Sequence, residues 1–165
     1  MWAKVESNTV TQIYTRPVAL NIGGTQYPSN IFQLWEAAEL RAIGIHPVEE
    51  DSSNLKDSKY YVNGNPTVTY SSGKVTRSYP TATAKPLADL KTEEKKVVNG
   101  TANSYLVETD WMVIREADGG TAMPSNIKTY RAAVRTKANT HCTNIDNAAN
   151  VDALAALTYD WPEKP

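Results

Sequence analysis

The chain is poor in the residues from which specialised sites and single large cores are built. Its 165 residues include one Cys, one Phe and two His. The lone Cys142 excludes an intramolecular disulfide framework and any multi-cysteine zinc site. One Phe against nine Tyr and four Trp leaves the aromatic content amphipathic. Such rings suit shallow cores and interfaces, where one edge stays wet. Charge of one sign is lacking as well: 17 basic and 18 acidic side chains give a net charge of −1. No run of Lys or Arg is long enough to track a phosphate backbone, so nucleic acid is not an expected partner. No stretch approaches the roughly 20 apolar residues that cross a bilayer, so no membrane partner is expected. The opening Met1-Trp2-Ala3-Lys4-Val5-Glu6 lacks the apolar centre of a secretory signal. Synthesis and retention in a reducing cytosol, or in a particle assembled there, is the expectation.

What is present points to small pieces joined by turns. Hydrophobic residues make up 41% of the chain, and 9 Pro and 8 Gly accompany many Thr, Ser and Asn. A chain of this length fits one domain or a few small modules. Residues 1–48 read as a β-hairpin module with a short helix. Trp2–Val5 and Thr9–Tyr14 flank a Glu6-Ser7-Asn8 turn, and Val18–Ile22 and Thr25–Tyr27 flank Gly23-Gly24. A helix over Glu36–Ile43 ends at Gly44, and Pro47 prevents its continuation. Residues 49–86 open with a polar linker, Glu49 to Asn54, followed by a short meander of Tyr60–Val62, Thr67–Tyr70 and Lys74–Tyr79. A lone meander of this size buries too little surface to stand alone, so it should pack on helices or on another copy.

Residues 87–158 read as a helical module, and 159–165 as a tail. The first helix runs from Leu87 to about Val98 and breaks at Asn99-Gly100; Ser104–Val107 starts another turn. Thr109 is the expected N-cap of a helix over Asp110–Glu116, with Asp110 complementing the helix dipole and Asp118-Gly119-Gly120 ending it. Ser125 is the expected cap of one long amphipathic helix, Asn126–Ala148. Its apolar positions Ile127, Tyr130, Val134, Ala138, Cys142 and Ile145 recur at helical spacing. Asn150 caps a last helix, Val151–Leu157. The fold class expected is therefore α+β.

Two stretches carry a resemblance. Thr109-Asp110-Trp111-Met112-Val113-Ile114-Arg115 followed by Tyr130-Arg131-Ala132-Ala133-Val134-Arg135 resembles the C-terminal region of small bacteriophage tail fibre or tail assembly proteins. Gly24-Thr25-Gln26-Tyr27-Pro28-Ser29-Asn30-Ile31, with Leu34-Trp35 and Ile43-Gly44-Ile45, resembles an N-terminal module of phage tail proteins. The middle segment departs from the shortest members of that family. The resemblance implies a non-enzymatic, oligomeric component of a phage tail, fibre or baseplate, assembled in the host cytoplasm and carried in the virion. Its expected partners are other tail, fibre or baseplate proteins. The alternative within the same family is a transient assembly chaperone that leaves before the particle is complete.

Sites for chemistry are sparse. His46 precedes Pro47 in an expected loop. His141 and Cys142 are helix neighbours pointing about 100° apart, a poor grip for one metal. Neither glycine pair has the spacing or the Lys-Ser/Thr of a phosphate loop. Glu93-Glu94 and the pair Asp110 and Glu116 read as helix-surface and capping groups. No catalytic, cofactor or metal residue is therefore expected, and no cofactor. The candidates are interface residues: Trp2, Tyr27, Trp35, Arg131, Arg135 and Trp161. Arg131 and Arg135, one turn apart, have the spacing to fork onto Asp110, Glu116 or Asp118. They either fix the angle between two helices or dock the module on a neighbouring subunit. Trp111 is the expected core anchor of the helical module. Trp161 either enters a partner's groove or returns to the N-terminal strands.

Overall fold

Turn chemistry sets the first part of the structure. In the computed structural model, which describes residues 1–165, strands β1 (Trp2–Glu6) and β2 (Thr9–Tyr14) are joined by Ser7 and Asn8, both at positive φ. Strands β3 (Leu20–Ile22) and β4 (Thr25–Tyr27) are joined by Gly23 and Gly24, at φ of 58° and 85°. Two successive positive φ values twist the strands in the sense a two-residue hairpin requires, which glycine does without strain. A single helical turn, α1 (Ile31–Leu34), was not foreseen from the sequence. It puts Ile31 and Phe32 into the core. Helix α2 (Ala37–Ala42) begins where the Glu39 carboxylate accepts the Glu36 backbone N–H at 2.8 Å. It ends at Gly44, φ 79°, whose carbonyl accepts the Val5 N–H at 2.8 Å.

The segment expected as a polar linker enters the sheet. Strand β5 covers Ile45–Asp51, so His46 lies in a strand and not in a loop. Its first half pairs antiparallel with β1, Ala3 opposite His46. After the short β6 (Tyr61–Val62) and β7 (Thr67–Ser71) comes β8 (Lys74–Ser78), which pairs parallel with the second half of β5. The sheet order is β2-β1-β5-β8-β7. Two strands of the expected meander, β7 and β8, thus join the sheet through β5, whereas β6 pairs with Thr83–Ala84 in a separate two-stranded sheet. Charge explains why an acidic run tolerates strand geometry. Arg77 faces Glu50 at 2.6 Å and Lys74 faces Glu49 at 3.4 Å, giving the acidic strand a basic neighbour. The core of this unit, Met1–Thr83, gathers Tyr14, Leu20, Ile31, Phe32, Leu40 and Ile45. The short strand β9 (Thr83–Ala84) falls at its end.

The second unit, Ala84–Pro165, is helical. Helix α3 runs unbroken from Leu87 to Val107, through Asn99-Gly100 and Ser104. Gly100 does not end it because Leu90, Glu94, Val98 and Ala102, spaced by four, form one buried ridge. Packing of that ridge outweighs the roughly 1 kcal/mol that glycine costs a helix interior. After α4 (Asp110–Ala117), helix α5 (Ser125–Asn147) returns antiparallel to α3, as Lys95 to Asp146 at one end and Arg131 to Leu106 at the other show. Ser125 lies in its first turn, preceded by Pro124, and is not the cap. Of the foreseen stripe, Tyr130, Val134, Ala138 and Ile145 are buried, and Ile127 and Cys142 only partly. Helix α6 (Val151–Ala155) is capped by Asn150, whose Oδ1 accepts the Ala153 N–H at 2.8 Å. The chain is α+β.

Candidate functional site

Helix α4 is inverted: its polar side chains hold it in place and its apolar side chains face water. Arg131, 5% exposed on α5, donates from Nη1 to the Leu106 carbonyl and to Thr109 Oγ1, both at 2.6 Å, and from Nη2 to Asp110 at 2.7 Å. Thr109 occupies the cap position, but its hydroxyl donates back to Leu106 and caps nothing. One guanidinium therefore bridges one carbonyl, one hydroxyl and one carboxylate where α3 stops and α4 starts. At the other end Glu116 accepts from Lys128 at 2.6 Å and from the Met123 N–H at 3.3 Å. These contacts, Lys128 first, hold its carboxyl below the usual range. Arg115 Nε donates to the Thr121 carbonyl at 3.0 Å.

Val107, Trp111, Val113 and Ile114 are all exposed. Val113 borders a cleft with Lys128 and Arg131 of α5, while Trp111 and Ile114, about 60° apart around the helix, share its other side. Trp111 is 52% exposed and Ile114 69%, so Trp111 is not a core anchor. The Arg115 guanidinium lies 4.8 Å from its ring centre, a cation–π contact on the surface. The reason is visible in the ties just described. Asp110 and Glu116 are pulled toward α5 by Arg131 and Lys128, which rotates Trp111 and Ile114 away from it. Four large apolar side chains between residues 107 and 114 are thus left unburied, and Trp111 with Ile114 gives α4 an apolar side without cover in the unit.

Arg131 and Arg135 have different fates. Arg131 does not fork onto a carboxylate: Nη2 makes one bond to Asp110, Nη1 turns to Leu106 and Thr109, and neither Glu116 nor Asp118 is engaged. Arg135 is exposed and pairs with none of them. It lines two open clefts, one of about 270 Å³ beside Val113, Glu116 and Met123, the other of about 310 Å³ between α3 and α5.

The tail is a strap on its own helical unit. The Trp161 ring lies 5.5 Å from Tyr105 and 5.3 Å from His141, so it packs on the helices of its own unit. His141, 3% exposed, pairs through Nε2 with the Asp160 carbonyl at 2.8 Å, and Tyr159 packs on its other side at 5.2 Å. Lys137 pairs with Asp160, and Lys164 with Glu108. Tyr159 Oη donates to Glu94 at 3.4 Å. Glu94, expected on a helix surface, is 2% exposed. An acidic residue inside a Lys-Glu-rich stretch gives no sign of facing inward until the tail covering it is known. Cys142 sits 3.9 Å from Asn99 Oδ1.

In the strand unit, Trp2 lies 4.8 Å from Phe32, and Tyr27 meets Trp35 edge-on at 5.7 Å. All three candidates, Trp2, Tyr27 and Trp35, are partly buried against the core of that unit. His46 is buried with Nδ1 unpaired, its ring 5.2 Å from Tyr70. Burial and the nearby positive charge of Arg41 push its pKa down, and a backbone hydrogen bond to Gly73 works the other way. No group of three or more His, Cys, Asp or Glu stands close enough to hold a metal ion. No helix is long and apolar enough to cross a membrane. Comparison with protein-family models, curated proteins and solved structures gave no match to this chain.

Proposed function

We propose that the protein is a structural component of a bacteriophage tail, fibre or baseplate, acting through assembly contacts and not through catalysis. The single observation that carries the proposal is the inverted helix α4. A monomer gains nothing by holding Val107, Trp111, Val113 and Ile114 in water while spending Asp110 and Glu116 on inward ties. A protein that docks gains a preformed apolar face whose backbone is already fixed. The resemblance of Thr109–Arg115 and Tyr130–Arg135 to phage tail proteins supports the same reading, since those two stretches are the ones that build and anchor α4.

The test is quantitative mass spectrometry of purified virions from cells carrying the wild-type gene or the Ile114→Asp variant. The expected result is wild-type protein at fixed stoichiometry with the tail proteins, and loss of the variant from particles while its melting temperature is unchanged. Wild-type protein made in the cell but absent from virions would sink the structural reading in favour of a transient chaperone. Incorporation of the variant at wild-type level would remove α4 as the docking face.

A further inference from the structure

We infer that the cleft beside Arg135 is a receptor for a carboxylate on a partner protein, taking the side chain of a Glu or Asp in a peptide segment. This deepens the assembly reading and rests on it for the choice of a protein partner.

Arg135 is the only lysine or arginine of the helical unit without a partner. Lys128 pairs with Glu116, Arg131 with Asp110, Lys137 with Asp160, Lys95 with Asp146, Lys96 with Glu93 and Lys164 with Glu108. Lys91 donates to the Asp146 carbonyl, Arg115 donates to Thr121, and Lys85 is also engaged. A unit in which every other cation is engaged leaves one planar fork open, and it leaves it at a hollow.

The hollow has a structural cause. Where α3 passes α5, the facing residues are Ala102 and Ala138, both buried, and their small side chains leave about 310 Å³ unfilled. Around it stand Asn99 and Asn103 from α3 and Asn139 from α5, with Arg135 one turn before Asn139. The amides of Asn103 and Asn139 have no hydrogen-bond partner within the protein. A guanidinium offers two parallel N–H groups to a carboxylate, and flanking amides both donate to and accept from a peptide backbone. On its other side Arg135 borders the cleft that includes Val113, one of the exposed apolar residues near α4. An acidic side chain next to an apolar one is thus the peptide chemistry that matches the surface.

The experiment uses the full-length, isotopically labelled protein and nuclear magnetic resonance. The probe is N-acetyl-glutamate N-methylamide, the control its glutamine counterpart, and acetate a third arm. With the glutamate probe, the Arg135 Nε–H signal and the side-chain amide signals of Asn99, Asn103 and Asn139 should shift and saturate. The glutamine probe should be on the order of tenfold weaker or worse, in line with a lost charge-assisted hydrogen bond. Arg135→Gln should weaken the glutamate probe equally, and Arg135→Lys, which keeps charge but not the fork, should fall between; both variants should melt like wild type. No shift with the glutamate probe, or equal shifts with glutamine, overturns the inference. Acetate binding as tightly as the glutamate probe overturns the peptide assignment in favour of a small free carboxylate. These readouts need no virion. A failed probe with protein present in virions removes only this site; a bound probe with protein absent from virions removes only the structural role.

Discussion

In the unit Met1–Thr83, amphipathic aromatics turn inward: Trp2, Tyr27 and Trp35 lean on a core that holds Phe32, the single Phe of the chain. In the unit Ala84–Pro165 the arrangement is reversed. Trp111 faces water, while Glu94, Arg131 and His141 are buried. Each unit is held internally by a different balance of forces. The strand unit is held by apolar contact among residues brought near by tight turns. The helical unit has an apolar seam of its own, with Val98, Val134, Ile145 and Leu154 buried, and adds to it polar groups that find one another over long sequence distances, Arg131 with Leu106, Thr109 and Asp110, and His141 with the tail. Apolar burial is forgiving of detail. A buried polar network is not, because each lost partner leaves a group desolvated and unpaired.

The sharpest way to break the helical half of this comparison is at its apolar seam. Val134 is fully buried on α5. Val134→Asp places an unpaired carboxylate there and should cost about 4 kcal/mol or more. The expected outcome is loss of most helical circular dichroism, with the strand unit's signals retained. A variant that melts like wild type would mean that this stripe is not the core of the unit.

The next effect isolates the polar network. Arg131→Met keeps an apolar stem but removes the guanidinium, leaving Thr109 Oγ1 and Asp110 without its N–H groups, while the Leu106 carbonyl keeps the Thr109 N–H and hydroxyl. Removing one member of a buried pair costs about 3–5 kcal/mol; Asp110 is half-exposed, so about 2 kcal/mol is expected here. Asp110→Asn should cost under about 1 kcal/mol, because a partly exposed ion pair contributes little by itself. Denaturant unfolding of both variants measures the ratio. Equal losses would show that the carboxylate, and not the carbonyl and hydroxyl, is what Arg131 serves.

A pH titration probes the strand unit where it too buries a polar ring. His46 has a folded pKa below the ordinary 6.5 of the unfolded chain. Between those two values the unfolded chain holds a proton that the folded chain does not. Stability is therefore complete above about pH 6.5, declines as pH falls through that value, and stops declining below the folded pKa. The slope should not exceed about 1.4 kcal/mol per pH unit. Thermal melts from pH 7.5 downward, compared between wild type and His46→Gln, should show this component only in the wild type. An unchanged slope in the variant would assign the acid sensitivity to other groups.

The difference between the units also governs how far each could be read from sequence. The hairpins at Ser7-Asn8 and Gly23-Gly24 and the stop at Gly44 follow from φ preferences that reside in the turn residues themselves, so local rules reach them. Strand β5 was hidden because Glu49, Glu50 and Asp51 are acceptable in a sheet only beside Lys74 and Arg77, more than twenty residues away. Among the site residues, an Arg131–Asp110 pairing is legible from the acids preceding α5, but the turn of Nη1 to Leu106 and Thr109 is not. Nor is the orientation of Trp111. Hydrophobicity says that a Trp prefers burial, yet the direction of α4 is decided by Arg131 and Lys128 drawing Asp110 and Glu116 inward. The strap was equally out of reach, since its partners Tyr105 and His141 lie on two different helices.

The smallest effect tests the same contrast at Gly100, where a local rule pointed to a helix break and tertiary packing prevailed. Gly100 is exposed, has ordinary helical backbone, and a Cβ built there meets nothing within 4 Å. Gly100→Ala therefore removes freedom from the unfolded chain without disturbing the folded one. It should stabilise the protein by about 0.5–1 kcal/mol, measured as a rise in denaturation midpoint at unchanged slope. Hydrogen exchange should slow at the amides after residue 100, where the two halves of α3 meet. If the variant is neutral or destabilised, Gly100 serves a local opening of α3, and the ridge from Leu90 to Ala102 would not be the continuous support described above.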